Sequence, residues 1–102
     1  MYDLEVSDKA EDDLDKIISY IADNLASPQA AASFADEVYE CYERLEENPY
    51  LFEECRDVKL KKEGYRRAVI KSYVVVYKIY DEQKLVIVHR FFYSRQNYSN
   101  LI

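Results

Sequence analysis

Near residue 64 the spacing of apolar side chains changes from a period of about 3.6 to a period of 2, and no single type of secondary structure accommodates both. Before the switch, Ala10, Leu14, Ile17, Ile18, Ile21 and Leu25 fall on one stripe. Ala31, Phe34, Ala35, Val38, Tyr42 and Leu45 fall on another. After it, YRRAVIK, YVVVYKIY and KLVIVHRFFY are rich in Val, Ile, Tyr and Phe, side chains that suit a pleated, half-buried surface. Helices followed by strands predict an α+β layer in which helices cover one face of a sheet.

Punctuation in the chain sets the boundaries. DLEV, residues 3–6, alternates and predicts a short N-terminal strand. Asp8 with Glu11 forms a capping-box-like start, with Ser7 as the competing cap, for a helix over about residues 8–24. Ser27-Pro28 caps and opens a second helix, and Asn48-Pro49 ends it. The short connection predicts an antiparallel helical hairpin. A loop, NPYLFEECRDVKLKKEG, leads into three strands joined at Lys71-Ser72 and Asp81-Glu82-Gln83, short enough for hairpins. The expected order is β-α-α-β-β-β: a helical hairpin packed on an antiparallel sheet, with a short C-terminal tail. No element remains for the other sheet face, which is expected to stay partly open. The 102 residues suit a single domain spanning 1–102 and one modest core, with no room for a large cofactor cavity.

Several function classes fall away on composition. No apolar run approaches the roughly 20 residues a bilayer span requires. The opening MYDLEVSDKAEDD lacks the basic head and apolar stretch of a secretory leader, so a cytoplasmic location is expected. Cys41 and Cys55 have neither CxxC nor metal-ligand spacing and read as buried or idle thiols rather than as a disulfide or a metal site. His89 is the only histidine, which removes most His-based metal sites. Neither a metal nor another cofactor is expected.

Charge is distributed unevenly. Residues 1–55 carry 3 basic and 16 acidic side chains, a balance of −13; residues 56–102 carry 11 and 4, a balance of +7, together the net −6. Much of the basic charge lies in RDVKLKKEGYRRAVIK, residues 56–71. Such halves suggest an acidic face turned to solvent and a basic face that meets an anionic partner, or lysines that only solubilise a strand edge.

The order of elements, the opening SDKAEDDLDKIISYI and the segment YRRAVIKSYVVVYKIYDEQKLVIVHRFFYSRQNYSNLI resemble the RelE/ParE superfamily of toxins from type II toxin–antitoxin modules. The final strand and tail follow the pattern R-x-x-[HY]-x-R-x-x-Y at Arg90, Tyr93, Arg95 and Tyr98. The resemblance implies one of two activities. RelE-like members cut mRNA on the ribosome, whereas ParE-like members inhibit DNA gyrase without cutting RNA. It also implies a cognate antitoxin that folds onto the toxin as a hetero-oligomer.

RNA cleavage by 2′-hydroxyl attack needs a base, cations for the charged transition state and an acid for the leaving oxygen. By resemblance, Arg67 and Arg95 match basic positions of the nucleases, and a divergent nuclease would use them with Tyr93 or Tyr98, the latter close to the place of the family's tail tyrosine. Val74, after Tyr73, stands where those nucleases carry an arginine, and Leu101 where the tail tyrosine aligns. In the YoeB-like branch a His-Tyr pair acts, and here it aligns with Phe92-Tyr93. His89 lies three residues earlier and, by strict strand alternation, on the opposite face from Phe92. With the nuclease set incomplete, ParE-like inhibition of gyrase is the leading expectation. A ribosome-dependent nuclease and an inactive toxin that only binds its antitoxin are the alternatives. Arg66, Arg67, Arg95, Tyr93 and Tyr98 are the expected partner-binding residues, with the basic half receiving an acidic antitoxin segment. Tyr73, Val75 and Tyr77 are expected in the core, and Lys59, Lys61 and Lys62 in solvent.

Overall fold

The computed structural model describes residues 1–102. The chain runs β1 (Asp3–Val6), α1 (Asp8–Ser19), a π-helical extension (Tyr20–Asn24), α2 (Pro28–Glu47), α3 (Val58–Lys62), β2 (Tyr65–Ile70), β3 (Tyr73–Tyr80) and β4 (Leu85–Tyr93). The cap of α1 is Ser7: its Oγ accepts from the Ala10 N–H at 3.1 Å, which leaves Asp8 and Glu11 in the first turn near the positive helix end. The same hydroxyl donates to the His89 carbonyl at 2.8 Å and so ties the start of α1 to β4. At α2, Ser27 Oγ accepts from Ala30 N–H and Pro28 takes the first turn. That helix stops at Asn48, in extended backbone, as the following proline favours.

The strands form one sheet in the order β1-β4-β3-β2. The expected antiparallel sheet is in fact mixed: β2, β3 and β4 are an antiparallel meander, but β1 runs parallel to β4, from Asp3↔Leu85 to Val6↔Val88. Direction follows from what comes next in the chain. Ser7 must hand over to α1 midway along β4, where its N–H bonds the Val88 carbonyl.

One core lies between helices and sheet. Ala10, Ile21, Phe34, Val38 and Leu45 pack against Ala68, Ile70, Val75, Tyr77, Val86, Val88 and Phe91. As expected, Tyr73, Val75 and Tyr77 face this layer. Tyr77 is fully buried, and its hydroxyl escapes an unpaired burial by donating to the Pro49 carbonyl at 2.7 Å.

The opposite face is closed, contrary to expectation. Cys55, Leu60, Val74, Val76 and Phe92 form a second core there, with Tyr65 and Tyr98 against it. Leu60 comes from α3, in the segment read as loop. Asp57 caps this helix by accepting from Leu60 N–H at 3.0 Å, and Gly64, at φ +92°, stops it in a conformation that favours glycine. Five residues and one buried leucine are too little to register as a period. Upstream, Cys55 N–H bonds the Tyr65 carbonyl and Arg67 N–H the Glu53 carbonyl, so the connection also runs beside β2 as a short pseudo-strand.

Strict alternation fails once, in β4. Val88 pairs with Tyr77 and Arg90 with Val76, which leaves His89 as an inserted residue, a β-bulge. His89 therefore faces away from the helices, on the same side as Phe92, and the expectation of opposite faces is overturned.

Candidate partner-binding surface

The face of the sheet turned away from the helices gathers two of the five residues expected to bind a partner, Arg67 and Tyr98. Arg67 lies there, its side chain only 12% exposed, with Nη1 3.2 Å from a Glu53 carboxylate oxygen. Its Nε is buried without a partner. Tyr98 returns from the tail to stack on Phe92, ring centroids 4.8 Å apart and planes 9° from parallel. Burial pushes the Tyr98 hydroxyl above its usual range, and the Arg67 charge partly offsets the shift. Arg67 and Tyr98 are thus brought together over one apolar floor.

The remaining candidates are dispersed. Arg66 alternates to the helix side, where Nη2 donates to the Phe52 carbonyl at 2.8 Å and the guanidinium lies 5.2 Å from the Tyr50 ring centre. Tyr93, 44% exposed, pairs with Tyr73 at the helix-side end of the sheet, ring centres 5.8 Å apart. Tyr93 and Tyr98 therefore sit on opposite sides of the sheet and cannot serve one reacting group together. Arg95 is exposed just beyond β4, and Lys59, Lys61 and Lys62 are exposed on α3. Val74, where the nucleases carry arginine, is completely buried beneath the second core. Leu101 presents its backbone: the carbonyl accepts from Arg90 Nη1 at 2.7 Å.

Two groupings were not legible beforehand. In the first, the bulge brings the His89 ring edge-on to Tyr65 at 5.4 Å and its Nε2 within 3.2 Å of the Tyr80 hydroxyl. Lys78 Nζ lies 5.4 Å from the Tyr65 ring centre and 5.7 Å from that of Tyr80. Burial, with the Lys78 charge second, lowers the His89 pKa from 6.5, so the imidazole is neutral at pH 7. In the second, Asp13 of α1 holds Arg90 through two hydrogen bonds, 2.7 Å to Nε and 3.0 Å to Nη2, and also accepts from the Phe91 N–H at 3.0 Å. The Arg90 guanidinium covers the Phe92 ring at 4.8 Å. One chain of contacts thus runs from α1 through Arg90 to the tail that closes the outer face.

Burial holds both cysteine thiols at about 11, so they are inert at neutral pH. No group of three or more His, Cys, Asp or Glu side chains is placed to hold a metal ion, and no helix is long and apolar enough to cross a membrane. The surface offers cations, aromatic rings and a closed apolar floor, which suit the recognition of a large anionic or protein partner.

Residues 4–98 match the model of a family described as the ParE toxin of type II toxin–antitoxin system, parDE. No curated protein matches the chain. Among solved structures, the chromosomal ParDE system of P. aeruginosa superimposes with a TM-score of 0.73 at 19% identity, over 91% of this chain and 96% of that one. The RelBE2 toxin–antitoxin complex of Mycobacterium tuberculosis gives 0.63 at 22% identity, over 90% and 96%. The intact E. coli RelBE complex gives 0.59 at 16% identity, over 94% and 100%. At these identities the structural likenesses establish the fold alone.

Proposed function

Because the chain belongs to the ParE toxin family of type II toxin–antitoxin systems, we propose that it acts by binding rather than by cutting RNA, with DNA gyrase as its target and a cognate antitoxin as its inhibitor. The observation that carries this reading is the closed outer face. Val74 and Phe92 are packed under Cys55, Leu60 and Tyr98, at positions where RelE-like and YoeB-like nucleases carry arginine and histidine. Losing one group that stabilises transition-state charge costs about 2.7–4 kcal/mol, a factor of roughly a hundred to a thousand in rate. Arg67, Arg95 and Tyr98 on or beside that face, with Arg66 anchoring the pseudo-strand behind it, form the proposed contact surface. Tyr93 serves a separate contact at the sheet's other side. The setting is the cytoplasm, in a plasmid-stabilisation type of module, and the antitoxin's acidic segment docks on the basic half.

One observation favours the second reading, a divergent ribosome-dependent mRNA endoribonuclease. The bulge places a neutral His89, which suits a general base, on the same face as Arg67 and beside Lys78. Purified protein in a gyrase supercoiling assay, run beside a reconstituted translation reaction scored for mRNA cuts, separates the two. Inhibited supercoiling with intact mRNA is expected. Unaffected supercoiling with mRNA cleaved, and cleavage lost in His89→Gln, would replace the first reading by the second.

A further inference from the structure

Where the π-helical extension of α1 passes the Tyr73–Tyr93 end of the sheet, the surface opens into a cleft of about 460 Å³. Tyr20 enters it from the helical layer and Tyr73 and Tyr93 from the sheet. Tyr20 is 48% exposed and Tyr93 44%, so both rings stand open to solvent. The Tyr73 ring is held edge-on to buried Phe34 at 5.4 Å and to Tyr93 at 5.8 Å. Its hydroxyl lies within the field of both Tyr20 and Tyr93, so three rings from two layers converge. A second hollow of about 290 Å³ shares the three tyrosines and extends the cleft past Leu25 to the β2–β3 turn. Volumes of about 300–1,000 Å³ with aromatic walls and a few polar groups are those of small-molecule sites.

Charge says what fits. The charged residues lining the two hollows are Lys16 at one end and Lys71 at the other, and no acidic side chain lines either. Lys16 pairs with Asp12 at 3.0 Å and Lys71 with Glu37 at 3.5 Å. Both pairs are exposed, and exposed pairs contribute little, so either ammonium group can turn to a bound anion. The backbone bears on the same place. Lys71 sits at φ +52°, a conformation that glycine or asparagine adopts more cheaply, yet a cation stands there on the rim. On the facing wall the Leu25 N–H bonds the Tyr20 carbonyl at 3.2 Å, the long-range bond of a π-helical turn, a feature frequent at functional sites.

We propose that this cleft binds a mononucleotide, its base lying against the tyrosine rings and its phosphate meeting Lys16 or Lys71. Every base has a flat π-face that stacks on an aromatic side chain, and an ammonium group is a compact partner for phosphate. Clustered tyrosines also suit a cation, but lysines at both ends repel one. An aromatic side chain of a partner protein fills the rings and leaves both ammonium groups unused. The site gives the separate contact at Tyr93 an occupant. It holds whether gyrase or mRNA is the target, so its failure leaves that reading untouched.

The test titrates the full chain with adenosine monophosphate, adenosine, inorganic phosphate, tetramethylammonium and a tetraadenylate, followed by amide chemical shifts. Saturable shifts at Lys16, Tyr20, Lys71, Tyr73 and Tyr93 are expected with adenosine monophosphate, at a Kd of about 1 mM or below. Adenosine is expected to bind the same residues severalfold more weakly, and Lys16→Gln with Lys71→Gln, both at exposed positions, to bring the two ligands level. Tyr20→Leu, also exposed, is expected to weaken adenosine monophosphate roughly tenfold through the lost stacking. No saturable binding, or shifts confined to other residues, would overturn the proposal. So would equal shifts with phosphate alone, which mark a bare anion site, or with tetramethylammonium, which mark a cation cage. A tetraadenylate that binds more tightly than the mononucleotide would overturn the free nucleotide as occupant and assign the cleft to single-stranded nucleic acid.

Discussion

Asp13 carries more structural consequence than any other acidic residue of α1. Its carboxylate, 15% exposed, pairs with Arg90 and also satisfies the Phe91 N–H on the stretch of β4 that β1 is too short to reach. Removing one partner of such a shielded pair leaves the other charge stranded, which is worse than losing the attraction itself. Asp13→Ala is expected to cost about 3 kcal/mol in urea denaturation, with Asp13→Asn milder because an amide oxygen still accepts from Phe91. At His89 the sign of the pH dependence follows from the lowered pKa. The folded chain binds the proton less readily than the unfolded chain, so stability is full above pH 6.5 and declines as pH falls through the folded value. Unfolding free energy is expected to drop between pH 7 and 5, and His89→Gln is expected to flatten that slope. Asp81 adds a separate window at lower pH. Hydrogen bonds from Tyr50 and Tyr2 hold its carboxyl below 3.8, so its contribution is present above that value and lost as acid protonates it.

At the scale of elements, α3 and the tail matter beyond their size. A helix of five residues has no stability of its own in water. It persists because Asp57 caps it, Gly64 releases the chain from it, and Leu60 is buried against Val74, Val76 and Phe92. Leu60→Ala is expected to cost about 2–4 kcal/mol, readable as a lowered urea midpoint, because it opens a cavity in the smaller core. Gly64→Ala tests the stop itself. The space is free, with Lys78 Cε 3.5 Å from an added Cβ, so the expected loss of about 1 kcal/mol comes from the positive φ alone. The start and stop residues of α3, Asp57 and Gly64, stand in the sequence, but the pattern between them is too brief to carry a period. The bulge in β4 is less legible still. VIVHRFFY alternates no worse than a regular strand, and only the pairing with β3 shows that His89 is inserted.

Across the whole molecule, the two charge halves of the chain become two layers. The acidic hairpin covers one side of the sheet, while most basic side chains belong to the sheet, α3 and the tail. A few ion pairs join the layers, Asp13–Arg90 and Glu37–Lys71 among them. Surfaces of opposite sign steer oppositely charged partners to opposite sides and lose that power as salt shortens the screening length. If the antitoxin's acidic segment docks on the sheet side, raising salt from 50 to 300 mM is expected to weaken the complex roughly tenfold, about 1.4 kcal/mol. Arg67→Glu with Arg95→Glu is expected to weaken it at low salt and to remove most of the salt dependence. A titration by calorimetry at both salt concentrations reads this directly, and unchanged affinity in the charge-reversed variant would place the acidic segment elsewhere.

The sequence by itself determined the two long helices and the four strands, their order, the cap of α2 and most residues of the main core. Those depend on local periodicity and on capping chemistry within a few residues. It also carried the family resemblance and the uneven charge. Tertiary structure alone decided that β1 runs parallel to β4, that Leu60 and Tyr98 close the outer face, and that His89 joins Phe92 on that face while Tyr93 and Tyr98 part company. Strand direction, bulges and the return of a tail all depend on contacts between residues far apart in the chain. A difference of one residue in strand pairing turns a side chain from one face of the sheet to the other, and local composition does not record it.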